Sequence, residues 1–135
     1  MGTDNINPRQ VTDHDPQPLI LVGEHNKVVR ASIIKRLAKE GFNVNSFDSV
    51  EAVLKGLETE APQLVLLDYE MPGVQGDRIL VEMTKLGIEV PVVFMTAQKH
   101  FVHFSPDCYH GPVSMVMKSL ELEDIGSLVR TALVT

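Results

Sequence analysis

Short apolar runs, each closed by a small or polar residue, alternate with stretches whose apolar residues recur at helical spacing. Leu19 to Val22 runs into Gly23, Leu64 to Leu67 into Asp68, Pro91 to Met95 into Thr96, and Val113 to Met117 into Lys118. Runs this short, bounded by turn residues, predict strands buried on both faces. A further, weaker strand is expected where Val44 and Phe47 alternate with Asn43, Asn45 and Ser46.

Helices fill most of the gaps. Asn26 can cap one with Val29, Ile33 and Leu37 on its inner face, and Gly41 ends it as a left-handed C-terminal residue. Asp48 with Glu51 forms a D-x-x-E variant of the capping box ahead of the stripe Val50, Val53, Leu54 and Leu57. Asp77 opens a helix with Ile79, Leu80, Met83 and Leu86 inward, stopped by Gly87. Leu122, Ile125, Leu128, Val129 and Ala132 mark a last amphipathic helix. From Gln98 to Pro112 no stripe persists, because Pro106 and Gly111-Pro112 interrupt it, so a fourth helix in this place is expected to be short or irregular.

Strand and helix alternate in units short enough for right-handed parallel crossovers, which predicts an α/β, doubly wound, three-layer domain over residues 19–135. Residues 1–18 hold three prolines and no periodicity and are expected to be a disordered leader. A chain of 135 residues has room for one domain with a proper core. The formal net charge of -6 argues against general affinity for nucleic acid or anionic membrane. Cys108 is the only cysteine, so no internal disulfide forms, which suits a reducing cytosol. No apolar run reaches membrane-span length, and the N-terminus lacks a signal-peptide pattern, so a cytoplasmic domain is expected.

In an open parallel sheet, chemistry collects outside the carboxyl ends of the strands. Aligning those ends brings Glu24, His25, Asp68, Thr96 and Lys118 to one edge. A nucleophilic carboxylate, a second carboxylate suited to a hard cation, a hydroxyl and an ammonium are parts that can accept a phosphoryl group. Taken alone, Asp68 could equally be an ordinary strand-end acid that caps the next turn.

LILVGEHNKVVR, LVLLDYEMPGVQG, PVVFMTA and VMK, in that order, resemble the motifs of the receiver domain of two-component response regulators. The resemblance covers residues 19–135, and the 22-residue step from Thr96 to Lys118 agrees with it. It implies a flavodoxin-like five-stranded sheet of order 2-1-3-4-5, with Asp68 as phosphoacceptor, Thr96 as switch hydroxyl and Lys118 as the invariant lysine. It also implies Mg²⁺ held by Glu24, Asp68 and the backbone carbonyl of Glu70, with Ala97 as the small residue beside the phosphoryl group. The partners it implies are a histidine kinase or phosphotransfer protein and a downstream output domain or protein, with a homodimer as an open option. No direct nucleic-acid or membrane partner is expected, and no enzymatic turnover beyond self-phosphorylation and self-dephosphorylation of Asp68.

Several positions depart from that pattern. His25 stands where receivers carry the second acid; a neutral imidazole is a poor Mg²⁺ ligand, so the metal should bind weakly, or Mn²⁺ or Zn²⁺ should be favoured, or His25 should bond locally in a metal-free site. Ser119 replaces the usual proline after the lysine, which makes a trans peptide the expectation. Met115 stands in place of the aromatic partner of the switch hydroxyl, where its default role is core. Phe101, Phe104 and Tyr109 either form a partner surface or tuck under the sheet, with burial preferred. His100, His103, Cys108 and His110 carry zinc-capable groups in no recognised spacing.

Two other readings stay open. One is a degenerate pseudo-receiver that binds partners without phosphorylation. The other is an aspartate-nucleophile phosphatase, because Asp68-Tyr69-Glu70 mimics an acid-x-acid pair, although such enzymes carry it on the first strand. A flavin carrier is weaker, since no phosphate-binding loop follows the first strand.

Overall fold

The computed structural model describes residues 17–71, 76–97, 109–118 and 124–134. Within them the order is β1 (Leu19–Gly23), α1 (Lys27–Lys39), β2 (Asn43–Phe47), α2 (Val50–Thr59), β3 (Leu64–Asp68), α3 (Gly76–Lys85), β4 (Val92–Thr96), β5 (Val113–Met117) and α4 (Ile125–Leu133). The strands form one parallel sheet of order β2-β1-β3-β4-β5, as the resemblance implies. The expected irregular fourth helix, the Lys118–Ser119 bond and the side chains of Phe101, Phe104, His100, His103 and Cys108 lie outside the described residues. Gln17 and Pro18, at the end of the expected leader, already touch the sheet: the Pro18 carbonyl accepts from the Asn43 N–H at 3.0 Å.

Strand alternation splits the core in two. Ile20, Val22, Leu64, Leu66, Val93 and Met95 pack against Ile33 and Leu37 of α1 and Ile125 and Val129 of α4. Leu21, Val65, Leu67, Val92 and Phe94 pack on the other face against α2 and α3. The central strands β3 and β4 are buried at every position, which explains their unbroken apolar runs. Truncating a residue such as Leu66 to Ala should therefore cost about 2–5 kcal/mol. The edge strand β2 serves both faces: Val44 joins the α1 side and Phe47, three residues on, the α2 side.

Two helices end alike. Gly41 and Gly87 have φ of +96° and +75°, a region open to glycine without strain. After each glycine the chain doubles back, with Phe42 N–H bonding the Leu37 carbonyl at 3.1 Å and Ile88 N–H bonding that of Met83 at 3.0 Å. This corrects one expectation. Leu86 falls in the turn just after α3 and is 42% exposed, while Ile88, folded back, packs on the core in its place.

The start of α2 is also displaced from expectation. Ser49, not Asp48, is the N-cap, with its hydroxyl accepting from the Ala52 N–H at 3.2 Å. Either residue has a capping side chain, and the burial of Val50 and Val53 fixes which turn is the first. Asn26 caps α1 as expected, accepting from the Val29 N–H at 3.0 Å.

Candidate functional site

Register brings the polar strand ends together. Gly23 of β1 stands beside Leu67 of β3, so Glu24 and Asp68 follow side by side, and Asp68 itself stands beside Met95, one residue before Thr96. The ladder continues past the strands: the Lys118 N–H donates to the Thr96 carbonyl at 2.6 Å. A side chain at Gly23 would press on the methyls of Leu67 and Val53, at 2.7 and 2.9 Å from its Cβ, so glycine lets β1 pack closely just before Glu24.

All the sequence-predicted site residues with described placement lie at this edge. Glu24 and Asp68 are fully buried, and Thr96 nearly so, although each is polar. Two carboxylates removed from water need compensating charge. Lys118 supplies it, donating to Glu24 Oε2 at 3.0 Å and Asp68 Oδ2 at 3.2 Å. Burial alone would favour the neutral amine, but the hydrogen bond Lys118 donates to Glu24 and the charges of Asp68 and Glu24 outweigh it, and the Lys118 pKa rises above the usual lysine value.

His25 lies on the same Asp68 oxygen. Its Nδ1 is 2.7 Å from Asp68 Oδ2, and because a carboxylate accepts, Nδ1 is the protonated nitrogen in this contact. This contact is the local hydrogen bond the sequence allowed for His25, and the same side chain stands among the three residues that offer ligand atoms to a cation. The Asn26 N–H donates to Glu24 Oε2 at 3.1 Å, and Arg30 reaches back to the Glu24 carbonyl at 2.8 Å. Arg30 thus fixes the backbone of the β1–α1 turn, a role its position on an outward helix turn did not announce.

The other side of Asp68 is built differently. Oδ1 accepts from the Glu70 N–H at 3.0 Å, so Asp68 also closes the turn after β3. The Glu70 side chain then crosses to the end of β4, where Oε2 accepts from the Thr96 hydroxyl and Oε1 from the Ala97 N–H at 3.2 Å. The sequence reading used only the Glu70 carbonyl and left the Thr96 hydroxyl to meet a phosphoryl oxygen. The structure adds a carboxylate partner for Thr96 in the unmodified domain, because the two-residue loop from Asp68 brings Glu70 within reach of β4. An acid two residues after a strand-end acid was the available signal.

Farther from the edge, Tyr109 is buried and donates to the Val90 carbonyl at 2.5 Å. Burial, then the charge of Glu89, pushes its pKa well up, so it stays a donor. Burial rather than a partner surface is therefore the outcome at this one of the three aromatics. Met115 is partly buried against the α2–α3 side of the core, its expected default.

Glu24, His25 and Asp68 each offer one ligand atom, and these atoms lie within 4.8 Å of one another. Glu24 Oε1 is buried without a hydrogen-bond partner, the kind of orphaned atom a cation would satisfy. The donor set fits a divalent cation. With an imidazole beside two carboxylates it suits a borderline ion such as Mn²⁺ or Zn²⁺ better than Mg²⁺, which prefers an all-oxygen shell.

Comparison with known proteins agrees with this geometry. The family model described as "Response regulator receiver domain" matches residues 20–130. Nodulation protein W of Bradyrhizobium diazoefficiens is 22% identical over 110 residues, covering 82% of this chain and 43% of that protein. The DNA-binding transcriptional regulator NtrC of Escherichia coli is 24% identical over 115 residues, covering 85% of this chain and 24% of that protein. The chain thus spans less than half the length of either relative. The solved N-terminal domain of a response regulator/sensory box/GGDEF 3-domain protein from Carboxydothermus hydrogenoformans superposes with a TM-score of 0.75 at 27% identity, covering 86% of this chain and 94% of that one. Asp68 of the acid-x-acid pair ends the third strand, and Glu70 follows in the turn. With a matching family model, a sheet of order β2-β1-β3-β4-β5 and a lysine bonded to the strand-end aspartate, the chain belongs to the response regulator receiver domain family.

Proposed function

We propose that Asp68 accepts a phosphoryl group from the phosphohistidine of a histidine kinase or phosphotransfer protein, and that the modified domain changes its affinity for a downstream output domain or protein. The observation that carries this reading is the 3.2 Å contact between Lys118 Nζ and Asp68 Oδ2 at the end of a fully buried strand. In the transfer the N–P bond breaks as an Asp68 oxygen bonds phosphorus, and the imidazole leaves. Lys118 is placed to balance charge on the transferring oxygens, and the Thr96 hydroxyl and Ala97 N–H to donate to them. Glu24, His25 and Asp68, with the Glu70 carbonyl, would hold a divalent cation, whose bound charge would further stabilise those oxygens.

The receiver family is generally one of signalling domains rather than enzymes, and in this reading Asp68's own phosphorylation and dephosphorylation are the only chemistry. Among the described residues no helix is long and apolar enough to cross a membrane, and this reading takes the domain to act in the cytoplasm. A DNA-binding output is one candidate, by analogy with the transcriptional regulators among the relatives.

A second reading, a pseudo-receiver that binds partners without phosphorylation, is favoured by His25, which occupies the oxygen of Asp68 that Lys118 also holds. Intact-protein mass after exposure to acetyl phosphate with Mg²⁺, then Mn²⁺, separates the two. The phosphorelay reading expects one added phosphoryl group, absent in Asp68→Asn; no addition with either metal selects the pseudo-receiver.

A further inference from the structure

Thr96 and Ala97 are the two donors at the end of β4 that face the Asp68 carboxylate's surroundings, and one side chain holds both. The Glu70 carboxylate is bidentate: one oxygen accepts from the Thr96 hydroxyl, the other from the Ala97 N–H at 3.2 Å. Its own backbone N–H is fixed to Asp68 Oδ1 at 3.0 Å, so the side chain can swing while its root stays in place. Thr96 is only 3% exposed, and a buried hydroxyl without an acceptor is costly. A negative group with two acceptor oxygens therefore sits on donors that an added anion on Asp68 would need.

We infer that the Glu70 carboxylate is an internal stand-in for that anion, holding the Thr96 hydroxyl and the Ala97 N–H until an anion on Asp68 displaces it. This deepens the acceptor reading of Asp68 and rests on it. Glu70 is a positioning residue: it keeps Thr96 turned inward when Asp68 is unmodified, and it competes with the modification. Two consequences follow from charge and hydrogen bonding together. The conformational difference between unmodified and modified states at the end of β4 is small, because the same donors are satisfied in both. The anion binds less tightly than the pocket alone would allow, because a charge-assisted pair must first be broken.

The test uses the full chain and beryllofluoride with Mg²⁺ as the probe, followed by backbone NMR, in the wild type, Glu70→Ala and Glu70→Gln. Without the probe, the Ala97 amide proton should move upfield in Glu70→Ala, where its acceptor is gone, and return downfield as beryllofluoride is added. Beryllofluoride should bind Glu70→Ala about tenfold tighter than the wild type, the scale of one charge-assisted hydrogen bond. Glu70→Gln, which loses the charge but keeps an acceptor oxygen, should fall between. Equal gains in the two variants with an unmoved Ala97 amide would overturn the stand-in, leaving only a charge effect, and equal binding by all three proteins would overturn it too. Binding by none of them would overturn the acceptor reading itself, and the stand-in with it, a result distinguishable from equal binding.

Discussion

The two oxygens of Asp68 live in different company. Oδ2 meets Lys118 and His25, side chains delivered by other strand ends, while Oδ1 meets the backbone of its own loop, whose Glu70 reaches across to Thr96 and Ala97. On the first side the Lys118 ammonium and the His25 imidazole compensate two carboxylates that are buried from water. On the second side the Glu70 carboxylate accepts from two donors at the end of β4. The difference separates what holds the pocket together from what an incoming anion could replace.

The largest effect should come from breaking the first side. Lys118→Met keeps the apolar stem but leaves two buried carboxylates facing each other, and should cost about 3 kcal/mol in urea unfolding, the scale of an orphaned buried charge. Divalent cations should restore part of that loss, which would sharpen the metal argument from Glu24 Oε1. The contribution of Lys118 also has a pH signature. Its pKa is raised in the folded state, so its stabilisation is fully present below the unfolded value of about 10.4 and fades only as pH climbs through the raised one. Unfolding free energies from pH 7 to 11 should show that late loss in the wild type and not in Lys118→Met.

A smaller effect is expected from His25→Asp, which restores an all-oxygen donor set. Mg²⁺ affinity by calorimetry should rise on the order of tenfold or more, while preference for Mn²⁺ over Mg²⁺ falls. An unchanged preference would show that His25 has no part in the cation's shell. Smaller again is Tyr109→Phe, which leaves the Val90 carbonyl without its hydroxyl donor and should cost about 1 kcal/mol. Because Tyr109 lies away from both sides of Asp68, this variant should lose stability with beryllofluoride affinity unchanged. That makes it the control for the site variants.

These contrasts also explain what the sequence could and could not say. Glu24, Asp68, Thr96 and Lys118 were legible because each is the first or second polar residue after an apolar run, and parallel pairing must bring such ends to one edge. The core stripe of α1 was legible for a similar reason, since period alone places Ile33 and Leu37. Glu70 was not, because its loop position fixes its carbonyl but not the direction of its side chain. Leu86 and the Asp48 cap were misplaced where a one-residue shift in a helix boundary decides between inside and outside, a choice settled by packing of Ile88 and Val50 rather than by local pattern. His25 stood open in the sequence because an imidazole can serve a metal or a carboxylate, and in the structure it stands 2.7 Å from Asp68 and within the same Glu24–His25–Asp68 cluster.

The central claim is that one anion pocket lies between a lasting cation and a displaceable carboxylate, with Asp68 at its centre. Backbone NMR during titration with beryllofluoride and Mg²⁺ tests it most directly. The account predicts a compact set of shifted amides at Asp68, Glu70, Thr96, Ala97 and Lys118, lost altogether in Asp68→Asn. Shifts that survive in Asp68→Asn, or that gather elsewhere on the molecule, would contradict it.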